Sequence, residues 1–159
     1  MEGWRYALLL VVGAALPGCT TTSATVRSAA AQQNTAVVLA FLDTVYNKHE
    51  VDQAFRLYVA PTYTQHRHGA PVGNEATIQA LTKMTHELYP ELKQDVRRTV
   101  AQGDLVAVHS LYIRNQADRD GSGGLAAVDI FRLEHNHIVE HWDVVEDAAV
   151  SGTSGNAIF

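Results

Sequence analysis

The sequence predicts an α+β domain, and three observations carry that prediction. Between Asn34 and Tyr89 apolar side chains recur at three- and four-residue intervals, the spacing of one helix face. From Leu92 onward the period falls to two, the spacing of strands, so three helices precede about four antiparallel strands. The last of these strands form a hairpin, Leu125 to Asp147, that carries two aspartates and a histidine where a strand normally wants apolar groups.

The elements follow in order. Arg5 opens a short apolar run, Tyr6–Leu16, ahead of Pro17-Gly18-Cys19. Eleven residues are too few for a membrane-spanning helix, which needs about 20, and suit the apolar region of a secretory signal peptide (residues 1–18). Residues 19–33, rich in Thr, Ser, Ala and Gln, read as a flexible tether. The folded domain is expected over 34–147. Asn34 or Thr35 can cap a first helix whose stripe is Val37, Val38, Phe41, Leu42 and Val45, and Asn47 and Lys48 fit its end. A second helix, Val51–Tyr58, stops before Pro61, because the residue preceding a proline disfavours helical geometry. Tyr63–His66 is a short strand or an extended approach to a pocket. Asn74 is the expected cap of a third helix, Glu75–Tyr89, with Ile78, Leu81, Met84 (or Thr85) and Leu88 on its buried side and Pro90 beyond it.

Strands are expected at Leu92–Ala101 and Leu105–Arg114 around a Gly103-Asp104 turn. A polar, glycine-rich loop, Asn115–Gly124, leads to Ala126–Leu133 and His137–Val145, joined through Glu134-His135-Asn136, where Asn136 is a natural left-handed turn residue. The tail, 148–159, is small-residue-rich and ends in Ile158-Phe159; it either folds back over the cavity mouth, packs at a dimer interface, or frays.

Side chains alternate across a strand, so Asp129 shares a face with Ala127, Phe131 and Leu133. A carboxylate among apolar neighbours is costly unless partnered or used. Asp143 is expected to share a face with His137, Val139, His141 and Val145, which sets His141 and Asp143 side by side. These residues are either a structural hydrogen-bond ladder or the polar end of a pocket. His109, with Leu105, Ala107, Leu111 and Ile113, is a lone imidazole on an apolar face: a hydrogen-bonded core histidine, or a catalyst oriented by Asp129. Arg132 faces away from Asp129 and suits salt bridges on the outer face. His66-x-His68 and His141-x-Asp143 would supply four metal ligands only if their strands met, and no metal is expected. His135 and His137 read as solvated turn residues, and His49 and His86 as helix-surface residues. A net charge of −5 with no basic stripe argues against a nucleic-acid partner, and the single cysteine excludes an internal disulfide.

The pattern DIFR (Asp129–Arg132), a short turn, then IVEHWDV (Ile138–Val144) resembles the closing hairpin of SnoaL-like polyketide cyclases in the NTF2-like superfamily. The resemblance is closest to the branch described as aldol-condensation-catalysing, and runs over about 33–159, including YTQH at Tyr63–His66 and the final SGNAIF. It departs from the family at the turn, where Asn136-His137 replaces a Gly-Lys pair. It implies a cone-shaped α+β barrel enclosing a pocket for a small, mostly apolar carbonyl compound, acid/base chemistry without metal or cofactor, and a homodimer. It places Asp143 at the position of the family's acid/base aspartate, Asp129 where cyclases commonly carry a pocket histidine, and Gln65 where some carry a substrate-binding asparagine. Asp143, His141, His109 and Asp129 are thereby the expected catalytic set, and Tyr63, Gln65, His66, Phe131 and Trp142 the expected substrate contacts. The expected function is an aldol cyclase, isomerase or lyase, with a non-catalytic ligand-binding or envelope interaction domain as the alternative. Asp129, Arg132 and Asp143 also imitate on paper the set used by epoxide hydrolases of the same superfamily, but the strand alternation separates Arg132 from the aspartates. Leu16-Pro17-Gly18-Cys19 resembles the lipobox of bacterial lipoproteins, which implies export, lipidation at Cys19 and anchoring in the cell envelope, on the periplasmic side in a Gram-negative cell. An ordinary cleaved signal with an incidental cysteine is the other reading.

Overall fold

The computed structural model describes residues 20–119 and 123–148. The signal segment, Cys19 and the tail from residue 149 lie outside them. Helix α1 (Thr20–Leu42) opens far upstream of Asn34, so the segment read as a tether forms the first half of this helix. Alanine and glutamine are good helix formers even without an apolar stripe, which explains why the periodicity at 34 marked only where the helix meets the core. Its last turn widens to π geometry over Asp43–Asn47. Helix α2 (Val51–Tyr58) buries Val51, Ala54 and Phe55 and sets an Asp52–Arg56 ion pair on its solvent side.

Helix α3 (Asn74–Lys83) ends in a second π turn, Met84–Leu88. Two expectations fail here. Gly73 precedes the helix, and the Asn74 amide reaches instead to the Ala60 carbonyl (3.0 Å), tying α3 to the neighbouring strand. Leu88 is 58% exposed, because the wider turn rotates it off the buried stripe, while Thr85 is fully buried.

Strands β1 (Val59–Gln65), β2 (Lys93–Gln102), β3 (Leu105–Ile113), β4 (Leu125–Glu134) and β5 (His137–Asp147) form one sheet in the order β1-β5-β4-β3-β2. The last four are antiparallel, as expected, but β1 joins the edge parallel to β5, so the sheet is mixed. His135 and Asn136 both adopt left-handed backbone (φ 49° and 64°), the two-residue type I′ turn that matches strand twist. Gly124 (φ 106°) lies just before β4, where a Cβ would meet the Tyr112 carbonyl oxygen at 2.9 Å, so no other residue fits without backbone movement.

The core lies between the helices and one face of the sheet: Val38, Leu42 and Val45 from the first helical segment meet Val106, Val108, Phe131, Leu133 and Ile138. Phe41 packs edge-on to both Phe55 (5.7 Å) and Phe131 (6.0 Å), joining two helices to β4. A bulge in β5 falls between the Arg132↔Glu140 and Leu133↔Ile138 pairs. It buries Ile138 and Val139 together and leaves His137 exposed, so the inward row expected as His137-Val139-His141 begins instead at Ile138. From Glu140 onward the expected alternation holds. Helices packed on this curved sheet give the α+β cone.

Candidate functional site

A cavity of about 470 Å³ lies between the concave sheet face and the helices. Phe41, Phe55, Leu81, Met84, Leu125, Phe131 and Val145 supply apolar wall. Tyr46, Tyr63, Gln65, Tyr112, Asp129, His141 and Asp143 supply the polar part, and Arg67–Pro71, in the connection from β1 to α3, form a rim. Both π turns contribute to the lining, through Tyr46 and Met84.

Inside the cone the polar groups form one connected chain. The Gln94 amide donates to Ser110 Oγ (2.9 Å) and to Tyr112 Oη (3.0 Å). Tyr112 donates to Asp129 Oδ2 (3.4 Å), and Asp129 Oδ1 lies 3.0 Å from His141 Nε2. His141 Nδ1 lies 2.8 Å from the Gln65 amide nitrogen, which also donates to Tyr63 Oη (3.1 Å). The Gln65 carbonyl oxygen accepts the Arg67 backbone N–H (3.0 Å), which fixes the amide with its NH₂ toward the imidazole. His141 Nδ1 is therefore an acceptor, and Nε2 carries the hydrogen given to Asp129. Phe131 stacks beneath the imidazole (4.5 Å, 12°) and holds its plane. Both ring nitrogens are engaged, so His141 and Asp129 position the site rather than contact a ligand through a free nitrogen. The buried phenols of Tyr46, Tyr63 and Tyr112 all have their pKa raised, first by burial, with nearby Asp129 adding to the effect, so each remains a hydrogen-bond donor.

Asp143 stands directly across the β4–β5 pair from Asp129. Its side chain is only 5% exposed; Oδ2 meets Arg67 Nη1 at 3.2 Å, and Oδ1 is buried without a hydrogen-bond partner. Burial, the largest effect, pushes this carboxyl up from its ordinary range, and Asp129 adds like-charge repulsion, while the Arg67 guanidinium pulls against them. A desolvated carboxyl that lines a cavity, with one oxygen outside any hydrogen bond, is chemically suited to take and return a proton.

The structure brings Tyr63, Gln65, Asp129, Phe131, His141 and Asp143 together and sets three other expected residues apart. His109 lies on the outer face of β3, 3.1 Å from Arg98 Nη1, because the inward row is Val106, Val108, Ser110 and Tyr112. His66 and Trp142 stack on one another (4.5 Å, 2°) outside the sheet, where His66 also meets Glu140 (2.8 Å). Trp142 lies between the inward-pointing His141 and Asp143, and strand alternation directs it outward. Arg132 lies on that outer face too, paired with Glu134 and Glu140. His49 is not a helix-surface residue: it turns the chain (φ 62°), and its Nε2 lies 2.8 Å from the Leu92 carbonyl. Gln94, Tyr46, Tyr112 and Arg67 were not singled out by the sequence. Ser110 and Tyr112, two apart in a strand, were the available signal for the inward face of β3.

Residues 36–151 match the profile of the SnoaL-like polyketide cyclase family. The chain belongs to that family. No curated protein matches it in sequence. Among solved structures it is similar to a candidate SnoaL-like polyketide cyclase from Jannaschia sp. CCS1, at 21% identity over 72% of this chain and 86% of that one, with a TM-score of 0.60. A candidate polyketide cyclase from Acidithiobacillus ferrooxidans is 19% identical over 72% of this chain and 88% of that one (TM-score 0.59). AclR, a candidate hydroxylase from Streptomyces galilaeus, is 17% identical over 73% and 80% (TM-score 0.61). At these identities the structural likeness establishes the SnoaL-like fold and assigns no reaction.

Proposed function

We propose that this SnoaL-like domain is a cofactor-free acid/base enzyme acting on a small, mostly apolar carbonyl compound, as an intramolecular aldol cyclase, isomerase or lyase. The observation that carries the proposal is the Asp143 carboxyl, buried in the cavity lining with one oxygen outside any hydrogen bond. In this reading Asp143 takes the proton from a carbon beside the substrate carbonyl, the C–H electron pair becomes a carbon–carbon double bond, and the carbonyl π pair moves onto oxygen as an enolate. In the aldol case that enolate attacks a second carbonyl, and Asp143 returns its proton to the new alkoxide. Tyr63, whose hydroxyl already accepts from Gln65, keeps its own hydrogen to give to the enolate oxygen. The relay from Gln94 through Asp129 to His141 and Gln65 fixes that donor in place.

The test is carbon-bound hydrogen exchange in D₂O on simple ketones, followed by NMR. Wild-type protein should exchange the positions beside the carbonyl, and Asp143→Asn should lower the rate by about 10²–10⁴-fold, the usual contribution of a general base. Exchange no faster than in buffer with either protein would leave the ligand-binding alternative, and equal catalysed exchange by both would remove Asp143 as the base.

We further propose export and lipid anchoring through Cys19, on the strength of the apolar run and the lipobox-like Leu16-Pro17-Gly18-Cys19. Cys19→Ser should move the protein from the membrane fraction to the soluble one, and unchanged fractionation would refute the anchor. A homodimer through the outer sheet face is consistent with Val128, Ile130 and Val144 standing exposed there.

A further inference from the structure

We infer that the ligand of this cavity carries a carboxylate, held at the rim by Arg67, and that its arrival removes Arg67 from Asp143. This rests on the acid/base reading above and adds to it a substrate class and a means of activation. The argument begins with charge. Two carboxylates, Asp129 and Asp143, face one another on the inner sheet, and the cationic guanidinium of Arg67 belongs to the rim. Within the cavity an anionic ligand group is repelled by the aspartates and attracted to the rim, whereas a neutral carbonyl meets the phenols without penalty. A compound with a carboxylate at one end and a ketone at the other is therefore oriented before any specific contact forms.

Arg67 suits this role. Its side chain is 56% exposed, so it is not locked by packing, yet it reaches inward to a carboxylate that is 5% exposed. It meets Oδ2 of Asp143 through one nitrogen at 3.2 Å. A free carboxylate offers the guanidinium two parallel charge-assisted hydrogen bonds instead of one. The exchange of partners is thus favourable for the arginine, and it removes from Oδ2 of Asp143 the guanidinium that damps its basicity, leaving the carboxylate a stronger proton acceptor beside the bound ketone. Arg67 is fixed at its backbone because its N–H donates to Gln65, the residue that also contacts His141 and Tyr63. The side chain can swing between acid and ligand while that anchor stays still. His68, next along the rim, adds a second nitrogen-bearing group on the same side.

The test uses the full chain and a matched pair of probes, 3-benzoylpropionate and its methyl ester, which share ketone and ring and differ in the charge. Binding is read by calorimetry and exchange beside the ketone by NMR. Wild-type protein should bind the acid about tenfold more tightly than the ester, the lower range for a gained charge-assisted hydrogen bond. Arg67→Gln should bring the two affinities together, and Arg67→Lys should restore part of the difference. Equal affinities in wild-type protein, an acid preference that survives Arg67→Gln, or failure to bind either probe would each overturn the inference. The acid/base reading fails separately: an acid preference lost in Arg67→Gln, with no exchange on either probe, keeps Arg67 as the anion site and removes Asp143 as the base. Exchange that depends on Asp143 but is indifferent to the carboxylate does the reverse.

Discussion

Asp143→Asn should slow proton transfer by about 10²–10⁴-fold and leave the fold as stable as before or slightly more stable. The magnitude follows from its two oxygens. Oδ2 is paired with Arg67, whose guanidinium is more than half exposed, and such pairs are screened to about 0–1 kcal/mol. Oδ1 is buried with no partner, and leaving a buried polar atom unsatisfied costs about 1–3 kcal/mol, more when it is charged. The substitution loses the small term and relieves part of the larger one, since a neutral amide is cheaper to desolvate than a carboxylate. The net change is about 0 to 2 kcal/mol in favour of the variant near neutral pH. The pH dependence has a definite sign. The folded-state pKa of Asp143 lies above its unfolded value, so between the two the native state holds a proton that the unfolded state has released. Over that window wild-type stability falls as pH rises, and the D143N variant should lack this contribution. Urea unfolding at a series of pH values measures both effects. A loss of more than about 2 kcal/mol, or an unchanged slope with pH, would show that Asp143 is a structural residue and that its burial has been misjudged.

Two further substitutions test the architecture of the site. Phe131 is 1% exposed, packs against Phe41 and stacks under His141, so Phe131→Ala should cost about 3–5 kcal/mol in denaturant unfolding, toward the lower figure because the adjoining cavity admits water. His109→Ala, on the outer face beside Arg98, should change stability by no more than about 0.5 kcal/mol and leave exchange activity intact; a loss of activity would return His109 to the site.

What could be read from the chain depended on how one-sided each segment is. In β4 the inward residues Ala127, Phe131 and Leu133 are apolar and flank Asp129, so register and face follow from alternation alone. In β3 both rows are largely apolar, and His109 with Leu111 and Ile113 looked as much like a core face as Val106 with Val108. The tie is broken by Gln94, which lies across the β2–β3 pair and satisfies Ser110 and Tyr112 in the interior, a partnership that no local pattern reveals. The parallel pairing of β1 was invisible for the same reason, since it joins residues about 80 positions apart, such as Val59 and Ile138. Arg67 lies in an irregular connection with no period to assign it a direction. Asp143, by contrast, was marked both by its strand phase and by the family resemblance.

The place of β1 at the sheet edge has a consequence for how the molecule is made. The strand that carries Tyr63 and Gln65 is made well before its hydrogen-bonded neighbour among the described residues, β5, which begins at His137. Until the last strand arrives, β1 has unpaired backbone groups and Gln65 has no imidazole to meet. Closing so long a loop is slow, and the early segment waits with its edge open to mispairing. Loss of β5 would therefore unpair β1 as well, and the enclosed site comes into being only once β5 has been made.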